Sequence, residues 1–190
     1  MTRHARHGRS TVPMAVAAVT AMAMGVAGTV MWLTASNTVG NAFDTADTTV
    51  SVVEDFTAGD TVKRNVHVGN DGDVPVYVRA RIDMSWTEDG ETAWGAPSCD
   101  DSDGCVIDYG DASTDGSWVR GGDGYWYWTA PVPSDAATGN LIDSLTLTDT
   151  GRTLVCDISA QSIQADPTRA VEDAWGATVD ESTLTLTPAM

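Results

Sequence analysis

The side chains best equipped for chemistry cluster in "CDDSDGC", residues 99–105. Asp100, Asp101 and Asp103 place three carboxylates close together, and calcium loops are built from such closely spaced oxygen ligands. Read as an EF-hand loop, the stretch puts Asp101, Asp103 and Gly104 in suitable places. However, Cys99 falls at the first ligand position and Gly110 at the last, so that motif fails. A looser calcium site on Asp100, Asp101 and Asp103 remains the alternative to a plain solvated loop. The bracketing cysteines, Cys99 and Cys105, would close a short disulfide loop worth about 2 kcal/mol. Cys156 then lacks a partner and, alternating with Leu154 and Ile158, reads as a buried thiol.

Other chemistries lack their residues. A zinc protease needs two histidines one helical turn apart with a glutamate as base. His4 and His7 lie in the basic start of the chain, which leaves His67 as the single histidine beyond it. A serine triad needs a positioned base, and His67 is expected on the polar face of a strand with no nucleophile signature beside it. Neither a phosphate-binding loop nor a dinucleotide fingerprint occurs. The carboxylates are too numerous for any two to stand out as a glycosidase pair. Tyr125, Trp126, Tyr127 and Trp128 form an aromatic row that would suit a glycan, but large aromatics are also the usual filling of a β-sandwich. No catalytic residue and no cofactor is expected, calcium being the one ligand the loop leaves open.

These residues must be carried by strands. From Val76 onward the even positions are Val76, Val78, Ala80, Ile82, Met84 and Trp86, and the odd ones Tyr77, Arg79, Arg81, Asp83 and Ser85. Six apolar side chains on one face, at about 1.5–3 kcal/mol each when buried, fix the register of a central antiparallel strand with one face on the core. Arg79 and Arg81 are then expected in a solvated charge ladder on the other face, or turned toward the acidic surface of a neighbouring copy. Further strands are predicted at 48–56, at 61–68 with Lys63, Asn65 and His67 on the polar face, at 106–109, near Trp118, at 125–128, at 141–147 and at 153–164. Asp166 and Pro167 resemble an N-cap and first-turn proline for a short helix ending at Gly176, and "STLTLT" is one more alternating piece. The fold class expected is all-β: a jelly-roll-like antiparallel β-sandwich with one short helix near the C-terminus.

The first stretch stands apart. Arg3, His4, Arg6, His7 and Arg9 precede an apolar run from about Val12 to Leu33 and then small residues, the layout of a secretory signal. Residues 1–36 are therefore expected to be a signal peptide cleaved near Ala35/Ser36. The run is also long enough to span a bilayer, and an uncleaved anchor is the alternative. Residues 37–47 form a polar leader and 48–190 the sandwich domain. The whole chain has a formal net charge of −17. Without the signal, seven basic residues face 27 acidic ones, a net −20. Such a surface repels nucleic acid and anionic lipid and favours cations or basic partners, so membrane contact is expected only through the signal segment.

Three segments together carry a resemblance: "NDGDVPVYVRARIDMSW", "DGYWYW" before a proline-containing turn, and "ISAQSIQAD" followed by "AVEDAWG". With "WLTASNTVGNAF" at the signal junction, they resemble the exported biofilm-matrix proteins of the TasA and camelysin type, over residues of about 30 to 176. The resemblance implies a jelly-roll subunit, secreted with a dedicated signal peptidase. It also implies head-to-tail polymerisation with itself or related matrix subunits, the leader of one copy adding as a strand to the next. Asn41 and Phe43 occupy the places of that family's Asn-x-Phe, and Val39 and Phe43 are the candidate groove fillers. The tyrosine and threonine usual beside the family's cleavage site are replaced. The metallopeptidase activity claimed for some relatives is not expected, since the histidines are missing. The alternative reading is an extracellular calcium- or glycan-binding β-sandwich module.

Overall fold

A computed structural model describes residues 35–37, 47–57, 59–88, 91–92, 97–100, 102–110, 115–149 and 151–190. It is an all-β sandwich with one short helix. One sheet contains β2 (Val50–Asp55), β3 (Val62–Asn70), β9 (Ile142–Leu147) and β6 (Cys105–Asp108), in the order β2-β3-β9-β6. The other contains β1 (Ala35–Asn37), β10 (Thr153–Gln164), β4 (Val76–Glu88), β8 (Trp126–Trp128) and β7 (Trp118–Arg120), in the order β1-β10-β4-β8-β7. The short β5 (Glu91–Thr92) folds back on the end of β4.

β4 is central, as its alternation requires, and pairs with β10 along all twelve residues of the latter, from Thr153↔Thr87 to Gln164↔Val76. Directly opposed residues share a face. The inward stripe of β4 therefore fuses with that of β10 through Leu154↔Trp86, Cys156↔Met84, Ile158↔Ile82 and Ala160↔Ala80. Val66, Val68, Leu145 and Ile142 close the core from the facing sheet. Among the described residues, no helix is long and apolar enough to cross a membrane, and the apolar run before Ala35 lies outside them.

Three expectations need correction. The second face of β4 is not simply solvated. Tyr77 is fully buried beneath a separate apolar cluster with Tyr127, Ile163, Val171, Ala177, Val179 and Leu186. That cluster is assembled by the helix Arg169–Trp175 and a hairpin of β11 (Thr178–Asp180) and β12 (Thr185–Thr187). The helix begins later than Asp166-Pro167 suggests. Thr168 is its N-cap, without a side-chain cap bond, and Gly176 ends it in the left-handed conformation at φ 66°. Lys63, expected outside, is 1% exposed. Asn65 at φ 55° interrupts the two-residue alternation, so Val66 and Val68 point inward on one side of it and Lys63 on the other. The pairing of β2 with β3 slips at the same level, between Val53 and Asp55.

Candidate functional site

β10 has β4 on one side along its whole length, whereas β1 on the other side spans only Ile158–Ala160. β1 runs parallel, with Ala35↔Ile158, Ser36↔Ser159 and Asn37↔Ala160. It also lies against β2, which places it in the seam between the edges of the two sheets. Further along, the Ser162 hydroxyl donates to the Thr48 carbonyl, tying the start of the domain to β10. The chain enters at Asp47, whose N–H donates to Asp73 Oδ1 (2.9 Å) and whose carbonyl accepts from Asp73 N–H (3.0 Å). Gly72 makes that approach feasible, since a Cβ there would sit 2.0 Å from the Asp47 carbonyl oxygen. An edge strand with so little cover is the place where a sheet accepts another strand through main-chain hydrogen bonds.

Beside this edge, on the outer face, Arg79 is held in an aromatic cage. Its guanidinium carbon lies 4.2 Å from the Tyr125 ring centre and 4.8 Å from that of Trp175. Arg79 Nε donates to Gln161 Oε1 (2.9 Å), on β10, and Nη1 donates to the Tyr127 hydroxyl (3.0 Å). That hydroxyl in turn donates to Asp123 Oδ2 (2.6 Å). Burial works against the Asp123 carboxylate. The bonds from Tyr127 and the Tyr125 N–H, with the Arg79 charge, outweigh it and hold the carboxyl below its usual range. Burial, then the bond to Asp123, pushes the Tyr127 phenol up. Arg79 is therefore a structural cross-brace from β4 to β8, β10 and the helix, and the expected charge ladder shrinks to Arg81. Arg81 is exposed and pairs with Asp83 at 2.9 Å.

Inside the sandwich, Lys63 pairs with Glu54, and its amine lies 5.9 Å from the Phe56 ring centre. Burial depresses the lysine's pKa more than Glu54 restores it. Cys156 is a buried free thiol, and burial pushes its pKa up to about 12, which leaves it inert as a nucleophile.

Cys99 and Cys105 form a disulfide (S–S 2.08 Å). In the loop it closes, Asp100 accepts from the Ser102 N–H and hydroxyl and from the Ser98 hydroxyl, and Asp103 accepts from the Ser98 N–H and hydroxyl. Those bonds hold both carboxyls below their usual range. The two calcium candidates thus serve as turn caps, and Asp101 lies outside the described residues. Among the described residues no three His, Cys, Asp or Glu side chains are grouped to hold a metal. His67 makes a local bond, Nδ1 to the Asn65 carbonyl at 2.8 Å. In the aromatic row, Trp126 and Trp128 pack against the main core and Tyr125 and Tyr127 against the outer cluster. Val39, Asn41 and Phe43 lie outside the described residues.

The sequence reading missed the burial of Lys63, the cage partner Trp175 and the pairing of β1. Only the cage left a signal: Tyr125 and Tyr127 share the parity that the second face of β4 needs, and Tyr127 does pair with Arg79 across the strands. No family model, curated protein or solved structure matches this chain.

Proposed function

We propose that this chain is an exported structural protein, a subunit of a biofilm-matrix or cell-surface fibre. Residues 37–47 of one copy add as a strand to the β10 edge of the next. The observation that carries this reading is the mismatch between β10, twelve residues long, and β1, three residues long, as its only outer strand neighbour among the described residues. Strand addition to such an edge draws its affinity from main-chain hydrogen bonds and its selectivity from alternate side chains. Val39 and Phe43 are spaced to share one face of an extended leader. The resemblance to the TasA and camelysin type supports the same reading, as does the basic and apolar start that would direct export.

In this role the chain is non-catalytic and needs no cofactor. Its partners are further copies of itself or related matrix subunits, together with the signal peptidase that releases it. Deleting residues 37–47 from the secreted protein should leave a folded monomer that forms no fibres under negative-stain electron microscopy. Fibres of normal abundance from that deletion would remove the leader from the mechanism.

A further inference from the structure

We infer that proteolytic processing is itself the switch that frees the β10 edge: until the chain is cut, residues Ala35–Asn37 hold the ladder position that an incoming strand requires. This rests on the reading above, in which the edge of β10 accepts the leader of another copy. The expected cleavage junction, Ala35/Ser36, does not lie beside β1 but inside it. Cutting there removes one or two of the three residues paired with Ile158, Ser159 and Ala160. What is left is too short to keep a parallel ladder, in which each strand's bonds recur every second residue.

Topology adds a second restraint. The leader's far end is fixed at Asp47 by the two hydrogen bonds with Asp73, and at Thr48 by Ser162. In the uncut chain its near end is fixed too, by β1 on β10. A segment held at both ends cannot reach across to another subunit. After cleavage it is held at one end only and becomes a free arm with the length of residues 37–47. A single cut therefore does two things to the same site: it vacates the acceptor on β10 and releases the donor. Because β1 also lies against β2, its loss opens the seam between the sheets where an added strand has to enter.

The test compares the full-length chain, purified in detergent without its signal peptidase, with the secreted chain kept dilute enough to be monomeric. Backbone hydrogen exchange over Ile158–Ala160 should be roughly tenfold slower or more in the full-length chain, the mark of a local pairing that opens separately from the global fold. The double substitution Ala35→Pro and Ser36→Pro in the full-length chain should raise exchange to the secreted chain's rate. Neighbouring strand N–H groups point to opposite sides, so one of the two prolines must delete the group that faces β10. Equal exchange in the full-length and secreted chains overturns the inference. Fibres growing as fast from the full-length chain as from the secreted one would also overturn it, while leaving the fibre reading intact. An exchange difference without fibres from the secreted chain would instead keep the pairing and end the fibre reading.

Discussion

At the scale of single residues, two cations are used in opposite ways. Arg79 is worth what its planar group can touch: two ring faces, the Gln161 oxygen and the Tyr127 hydroxyl. Charge-assisted bonds and desolvated cation–π contacts of this kind contribute about 1.5–3 and about 2 kcal/mol. Allowing for overlap, Arg79→Met should lower the unfolding free energy by about 2–4 kcal/mol in urea titrations. Arg79→Lys should recover less than half of the loss, because an ammonium cannot lie flat between two rings. Lys63, by contrast, carries its charge at a cost. Its folded-state pKa is lowered from 10.5, so just below that pH the unfolded chain holds a proton that the folded chain has released. Stability must then rise with pH through that window. Burial raises the pKa of Tyr77, Tyr109 and Tyr127 above 10, which reverses the slope at higher pH. Lys63→Met should abolish the rise but keep the later fall, as read from urea midpoints across alkaline pH. Neither role was legible in advance, since a two-residue period carries no information about a left-handed residue such as Asn65 or about a ring arriving from a distant helix.

At the scale of elements, what alternation governs was readable and what tertiary docking governs was not. β4 and β10 declare themselves through unbroken apolar stripes, and burial of those stripes leaves one possible register. β11 is only three residues long, and the helix packs through Val171, features too short to print a period. β1 was read as part of the signal and leader because its residues are small and polar; its strand character comes from the edge it meets. The disulfide loop belongs to this scale as well. It joins the entry of β6 to a segment whose Cys99 sulfur touches Met84 of β4 at 3.8 Å. Above it, Arg152 lies 4.0 Å from the Trp86 ring centre and donates to the Asp103 carbonyl at 2.8 Å. Replacing both cysteines with serine should cost about 2 kcal/mol by the loop-closure argument, measured by denaturant unfolding with and without reductant. Wild-type protein in reductant should approach the variant's value.

At the scale of the whole molecule, charge decides how copies meet. The chain carries −17 overall, and its described cations are mostly engaged internally: Lys63 with Glu54, Arg79 in its cage, Arg81 with Asp83 and Arg152 with Asp149. A neighbouring subunit thus meets mainly uncompensated carboxylate. Added salt, which shortens the screening length to about 10 Å at 0.1 M, should speed fibre growth followed by light scattering. Slower growth in salt would instead reveal attractive charge pairs between subunits. Folding order is also written into the architecture. The Tyr77 hydroxyl donates to the Leu184 carbonyl, 107 positions later in the chain, and the Leu186 N–H donates to the Thr129 carbonyl. The roof over the outer aromatic layer is therefore contributed by some of the latest residues to emerge during synthesis. A polypeptide threading through an export channel stays without that roof until its far end is through, so completion of the domain is timed to the end of transit.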